Sequence, residues 1–438
     1  MKREGPLDAG PAAAARAWAT GPGRPPRLAL LYHYMHPDDV VSARHFDDLG
    51  QGLAARGWEV TAYPSNRSCH DPARAYPLRD QLGPVRLRRV WRPAWRQARG
   101  AGRVANAAWL VGAWAGLGLL RGRRAPDAVV VGTDPLLAVA VAPVLRRLRG
   151  RSLAIAHWVF DAYPEAAVAD GLLAPGGTTE AAARRVVGAG YRACDLVVDL
   201  GPCMRALLAA YDHGARAETI APWALVEPAQ PPRPDPETRR ALFGEGARLG
   251  VLYAGNLGRA HDLTGLLAVA RRLCADGLAL CVAVREHAHA QVRAALGPDD
   301  TNVRLVGFCD EATLERRLAA ADVHAVSLRP AWTGTVVPSK CFASLAIGRP
   351  LLFDGDPAAT PGRLALEHDV GWVTCASAPA RTEAAVAGLR ALARGERSLD
   401  DLWGRSHALY RDRFARELAL DRWDRALRDL APCPTRGG

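Results

Sequence analysis

Of the 57 lysine and arginine residues in this chain, only Lys2 and Lys340 are lysines. Lys340 ends the segment Val336-Val337-Pro338-Ser339-Lys340. It is followed by Leu345-Ala346-Ile347-Gly348-Arg349-Pro350 and the apolar run Leu351-Leu352-Phe353. The pattern reads as a small polar turn, a helix closed by a glycine, and a buried strand. The first N–H groups of a helix have no partner inside it, so a turn leading into a helix suits a phosphate, and a lysine adds a full charge. The plain alternative is that Pro338 and Ser339 only start a helix and that Lys340 is solvated. A second turn, Tyr253-Ala254-Gly255-Asn256-Leu257-Gly258-Arg259-Ala260-His261-Asp262, sits between an expected strand and an expected helix. Glycines there allow backbone to approach a phosphate, and Arg259 can fork onto its oxygens. Alone, the turn is equally a tight bend with a surface arginine. Together, two such turns at strand ends of one sheet would straddle a nucleotide diphosphate. A third group, His157 to Glu165 (HWVFDAYPE), ends another expected strand. His157 or Asp161 could act as acid or base, or orient an acceptor hydroxyl; a core histidine and a helix-capping aspartate are the alternative.

The stretch from Arg86 to Arg124 carries Trp91, Trp95, Trp109 and Trp114 among many arginines. Such a mixture suits a bilayer interface, a buried helix over Leu110–Leu120, or RNA. No nucleic-acid motif accompanies it, so a membrane-facing or core helix is preferred and no nucleic-acid partner is expected. The net charge of +12 favours anionic partners. The nine cysteines are scattered, without a CxxC pair or zinc-like spacing. A reducing, cytoplasmic compartment is expected. Residues 1–26 read as a disordered tail without the apolar core of a signal peptide. The most apolar stretch, Ala107–Leu120, is shorter than the ~18 residues of a membrane span, which leaves peripheral contact with the inner face of the cell membrane as the expected mode.

These groups need elements to position them. At 438 residues the chain suits two domains. Leu28–Tyr32, Trp58–Tyr63, Asp127–Gly132, Ser152–Val159, Leu196–Val198 and Glu218–Ile220 read as strands, separated by helical patterns such as Val40–Arg56, Pro135–Arg149 and Ala181–Arg192. Glu227–Glu237 is proline-rich and reads as a linker. The rhythm then restarts with strands at Leu249–Tyr253, Leu278–Val284, Val303–Val306, Val323–Leu328 and Pro350–Phe353, and Leu399–Leu430 is helical in pattern. The expectation is α/β, with two doubly wound Rossmann-like domains: 27–225, a linker at 226–240, 241–405, then a C-terminal helix and tail at 406–438. Ligands of such sheets bind beyond the carboxyl ends of the strands, and the cleft between two domains is the default site.

In order, HWVFDAYPE (157–165), YRACDLVVDLGPCMRALL (191–208), YAGNLGRAHD (253–262), VRLVGF (303–308), AADVHAVSLRP (320–330) and VVPSKCFASLAIGRPLLF (336–353) resemble the family 4 retaining glycosyltransferases of the GT-B fold, nearest to the branch that builds bacterial surface polysaccharides. The resemblance runs from Arg27 to Arg413. It implies a nucleotide-sugar donor, with a UDP-sugar favoured, held by the second domain, and a glycan or lipid-linked acceptor held by the first. It implies that Gly255, Asn256, Gly258 and Arg259 approach the donor diphosphate, with Val337, Ser339 and Lys340 on its other side, and that His157 and Asp161 line the acceptor side. It implies no tightly bound cofactor or metal, since cationic side chains neutralise the departing phosphate. Retention of configuration comes from the family alone. The chain departs from the family where Thr335 and Ala343 stand near two usual glutamates, where Arg285-Glu286-His287 replaces a glycine-rich turn, and where Pro37-Asp38-Asp39-Val40 replaces a glycine pair. Those departures keep open a catalytically weakened GT-B binding or scaffold protein, and, since a fold does not fix function, a sugar-nucleotide epimerase stays open as well.

Overall fold

The computed structural model describes residues 24–95 and 100–430. The expected tail falls outside these through residue 23, as do Arg96 and Arg99 of the arginine–tryptophan stretch. The chain divides into two compact units, each discontinuous in sequence. One holds the described residues up to His157, Gly190–Val197 and the described residues from Leu420. The other holds Trp158–Ala189 and Val198–Ala419.

The first sheet is built from β1 (Arg27–Leu31), β2 (Glu59–Ala62), β3 (Arg79–Leu82), β4 (Val85–Arg88), β5 (Ala128–Val131), β6 (Ala154–Trp158), β7 (Leu196–Asp199) and β8 (Arg216–Thr219). Its order is β3-β4-β2-β1-β5-β6-β7-β8. β1 pairs in parallel with β2 and β5, and β5 with β6. The central strands are short apolar runs because both faces are covered; β5, Ala-Val-Val-Val, is wholly buried. The helix Val41–Ala55 lays Phe46, Leu49 and Leu53 on one face of the sheet. The fit is close: a Cβ on Gly50 would lie 3.1 Å from Leu30 and 3.2 Å from Val85.

The sequence reading missed the antiparallel hairpin β3–β4. β3, Arg-Asp-Gln-Leu, carries no apolar alternation, as an exposed edge strand requires none. β4, Val-Arg-Leu-Arg, does alternate, with both apolar residues buried and both arginines exposed. Residues 86–88 are therefore strand, and the helix of this stretch runs from Gly100 to Ala115. Trp114 is fully buried on that helix and donates its indole N–H to the Tyr63 carbonyl at 2.8 Å. Trp109 is 41% exposed and stacks edge-on with Trp91 and Trp95, themselves 51% and 37% exposed.

The second unit has the sheet β9 (Leu249–Ala254), β10 (Leu278–Ala283), β11 (Val303–Val306), β12 (Val323–Ser327), β13 (Leu351–Asp354) and β14 (Gly371–Thr374). The order is β11-β10-β9-β12-β13-β14, and its strand pairs are parallel. Chain order runs outward in one direction from β9 and in the other from β12, so the topological switch lies between these two strands. The proline-rich segment is not extended throughout. A helix, Pro236–Phe243, begins inside it, where Asp235 accepts from the Thr238 N–H at 2.8 Å as a cap. Arg349 is fully buried, and its guanidinium donates to the carbonyls of Ala319, Ala321, Ile347 and Pro232 while lying over the Trp403 ring. The Gly348-Arg349-Pro350 motif thus clamps the proline-rich segment to the sheet. Gly348 is required there, with φ +76° and a would-be Cβ 2.8 Å from Pro231.

Candidate functional site

The carboxyl ends of β9 and β12 border the switch point, and the turn after β9 is stitched across it. His261 Nδ1 donates to the Ser327 carbonyl at 2.7 Å. The Asp262 N–H donates to Ser327 Oγ at 3.3 Å. The Arg329 N–H donates to the Ala260 carbonyl at 2.8 Å, and Arg329 Nε to the His261 carbonyl at 3.2 Å. Leu257, 7% exposed, anchors the middle of the turn in the core. Burial, with the Lys340 charge behind it, pulls the His261 pKa down to about 4, so its imidazole is neutral at physiological pH. Since Nδ1 is committed to a carbonyl, Nε2 carries the free lone pair.

Lys340 enters this turn from below. It is the first residue of the helix Lys340–Ala346. Its Nζ donates to Tyr253 Oη at 2.6 Å and to the Asn256 carbonyl at 2.9 Å, and sits 4.0 Å from the Tyr253 ring centre. Gly255 makes this possible. It holds φ +130°, and a Cβ there would fall 2.5 Å from Lys340 Cε. The ammonium has dipolar partners and, among the described residues, no carboxylate paired with it, and its desolvation pulls the pKa from 10.5 down to about 7. An anion brought to this turn would favour the charged form of Lys340.

More cations stand around the turn. Arg259 is exposed and paired with Asp170 at 2.8 Å. Arg285 Nε donates to Asn256 Oδ1 at 3.2 Å, and its guanidinium lies 4.8 Å from the Phe308 ring centre. The Arg285-Glu286-His287 departure therefore bears directly on a residue expected to meet the donor. The start of the next helix, Thr264–Arg272, is already occupied by carboxylates. Asp262 accepts from the Thr264 N–H at 2.9 Å. Asp354 accepts from the Gly265 N–H and from Thr374 Oγ1 at 2.9 Å, and burial raises its pKa to about 6. The cationic groups near the switch point are therefore side chains, Arg259, Arg285 and Lys340 among them.

Among the expected donor residues, the structure brings Lys340, Gly255 and Asn256 into contact. Gly258 lies in open space, with nothing within 4 Å of a would-be Cβ. Val337 is buried and Ser339 half-buried, directly before Lys340. Asp161 is exposed; its backbone forms a bridge to Val336, and the next N–H, of Ala162, donates to the Thr335 carbonyl at 2.7 Å. That places the loop bearing Asp161 against the segment that leads into Lys340. Thr335 is buried and donates its hydroxyl to the Trp332 carbonyl at 2.8 Å, and Ala343 lies half-buried on the helix. His157 belongs to the first unit. It is buried on β6, with Nδ1 donating to the Val131 carbonyl at 2.8 Å, and burial pushes its pKa down to about 4. Tyr253, His261, Ser327, Asp354 and Asp170 had no role in the sequence reading. Tyr253 and His261 stood inside the quoted motif, whereas Asp170 and Asp354 carried no local signal because only folding brings them to the turn. In the first unit, Asp39, Cys69 and His70 place ligand-type atoms within 4.8 Å of one another. Burial and the neighbouring Asp38 push the Cys69 thiol up to about 12, so it is protonated at neutral pH.

No family model matches the chain. It is 29% identical over 263 residues to a probable glycosyltransferase, WbjE, of Pseudomonas aeruginosa, covering 58% of this chain and 63% of that protein. The chain thus spans under two thirds of the relative's length. Among solved structures, a sucrose-phosphate synthase from Thermosynechococcus elongatus superposes with a TM-score of 0.66 at 17% identity, covering 93% of this chain and 99% of that one. A structure described as trehalose-6-phosphate from E. coli, bound with UDP-2-fluoro glucose, gives 0.65 at 11% identity, covering 93% of this chain and 99% of that one. The lipopolysaccharide outer core galactosyltransferase WaaB gives 0.56 at 13% identity over 92% and 99% of the two chains. These likenesses show the fold, α/β with parallel sheets and GT-B neighbours, as expected from the sequence.

Proposed function

We propose that the chain is a glycosyltransferase that moves a sugar from a nucleoside-diphosphate sugar to a glycan or lipid-linked acceptor. The observation that carries this reading is Lys340, threaded beneath Gly255 at the switch point of the second sheet with no carboxylate among the described residues paired with it. The likeness to a probable glycosyltransferase, and to a structure bound with UDP-2-fluoro glucose, supports it. In this reading Lys340 meets the diphosphate and stabilises the charge that develops as the sugar–phosphate bond breaks. Arg259 exchanges Asp170 for a phosphate oxygen, and Asn256, Gly258, Val337 and Ser339 border the donor. His157 and Asp161 serve the acceptor. A UDP-sugar donor, retention of configuration, family 4 membership and a role in surface polysaccharide synthesis belong to the same proposal, as does catalysis without a resident metal.

Membrane contact through the 86–124 stretch belongs to it too, now centred on Trp91, Trp95 and Trp109. Among the described residues no helix is long and apolar enough to cross a membrane.

A thermal-shift series with UDP-, GDP-, TDP- and ADP-sugars tests the donor, because a ligand of the native state raises Tm by mass action. A selective shift in the wild-type chain that disappears in Lys340→Ala is expected; no shift with any of them would remove the donor reading. Thr335, committed to a carbonyl where the family often has a glutamate, favours a second reading, a binding protein without turnover. Sugar transfer by the isolated chain eliminates it.

A further inference from the structure

The first sheet carries an arginine trough that the sugar-transfer reading does not use. Strand residues alternate between faces, so one face of β1, β2 and β4 receives Leu28, Val60, Val85 and Leu87, all buried. The other face receives Arg27, Glu59, Arg86 and Arg88. Over it lies the turn that carries Leu120 and Arg124, and between them is a cavity of about 560 Å³ bordered by Arg79, Arg86, Arg88 and Arg124. A smaller lobe of about 160 Å³ extends to Arg27 and Glu59.

Charge in the trough is poorly balanced. Glu59 accepts from both Arg27 and Arg86, so one carboxylate serves two guanidiniums. Asp80, also on the wall, accepts from Arg89 instead. Among the described residues, no hydrogen bond or ion pair is recorded for the side chains of Arg79, Arg88 and Arg124. The hairpin register sets Arg79 directly opposite Arg88, and like charges facing each other across strands are destabilising. Three guanidiniums without a hydrogen bond or ion pair among the described residues thus gather around one cavity, two of them opposed, a charge pattern that an anion would balance. Guanidinium forks match phosphoryl oxygens, and the volume takes more than one phosphoryl group.

We propose that this trough binds a phosphoryl-bearing anion of at least two charges, either free in solution or as the headgroup of an anionic lipid. The proposal does not depend on the donor site. It is tested in the Lys340→Ala chain, which removes the proposed diphosphate contact of the second unit. Calorimetric titration of that chain with inorganic pyrophosphate at low salt is expected to give saturable binding that weakens about tenfold in Arg88→Gln/Arg124→Gln. Sedimentation with phosphatidylcholine–phosphatidylglycerol vesicles, compared with phosphatidylcholine alone, reads the lipid source in the same pair. A loss in the pyrophosphate arm assigns a soluble ligand, and a loss in the phosphatidylglycerol increment assigns a headgroup. Absent or undiminished binding in both arms overturns the site. Arg88 and Arg124 are both exposed, and Arg88→Gln alone is expected to raise the Tm of the ligand-free chain by relieving its repulsion with Arg79. An unchanged or lowered Tm would count against that strain.

Discussion

Lys340 has a property that an arginine in its place would lack. An arginine stays protonated in any protein environment, whereas a lysine yields its proton when desolvated. At Lys340 the pKa is drawn from 10.5 to about 7. Bringing up a diphosphate would restore the charge, so donor binding is expected to take up a proton near neutral pH. The sign follows directly. Affinity is greatest below pH 7 and falls as pH rises, until the pKa of the bound state is passed. Calorimetry in buffers of different ionisation heat measures the uptake; equal heats across buffers would refute it. The same shift acts on stability in the opposite sense. Between about pH 7 and 10.5 the unfolded chain holds a proton that the folded chain has lost, so folding gains as pH rises through that window. The Tm of wild type relative to Lys340→Met should climb across it. Arg259 provides a second prediction at this scale. Its exposed pair with Asp170 is worth about 0–1 kcal/mol, so Asp170→Asn is expected to raise donor affinity by up to about fivefold, as calorimetry would show. The lysine and the arginine were legible in the sequence by type and spacing. Asp170 was not, because its role depends on a contact spanning the distance from 170 to 259 in the chain.

At the scale of elements, the turn after β9 shows what a motif can and cannot reveal. Gly255 and Gly258 look alike in sequence, and both were read as phosphate-approach glycines. Gly255 has φ +130° and leaves room for Lys340, while a Cβ on Gly258 would meet nothing within 4 Å. Gly255→Ala is therefore expected to destabilise the chain by about 1–3 kcal/mol, displace the lysine and abolish the proton-coupled binding. Gly258→Ala is expected to leave Tm unchanged. Similar losses of stability for the two would mean that Gly255 is not special. The strand–helix rhythm was legible because buried parallel strands are short apolar runs and their helices keep a 3.6-residue period. The β3–β4 hairpin was not, because an edge strand needs no apolar face and its arginines merged with the tryptophans that follow. The helix Pro236–Phe243 was hidden for a related reason: proline is as welcome at the first turn of a helix as in a linker.

For the molecule as a whole, two α/β units were legible, but the pieces that compose them were not. Gly190–Val197 and the chain from Leu420 join the first unit through tertiary packing, such as Leu420 against Gly52 and the indole of Trp58 donating to Asp424 at 2.7 Å. Neither contact leaves a periodic trace in the sequence. The same limit applies to the tryptophans of the 86–124 stretch, which composition treats as equivalent and the fold separates. Trp114 is core, so Trp114→Ala is expected to cost about 3–5 kcal/mol and to lower Tm without informing on membranes. Trp91, Trp95 and Trp109 form an exposed edge-to-face cluster, and amphipathic rings of this kind settle at headgroup depth. Removing the Trp109 ring alone should change stability little but reduce binding to phosphatidylcholine vesicles, with a smaller blue shift of the tryptophan emission on mixing. Vesicle binding that survives the triple replacement of Trp91, Trp95 and Trp109 by alanine would move the membrane contact off this cluster, leaving the arginine trough to account for any binding that depends on anionic lipid.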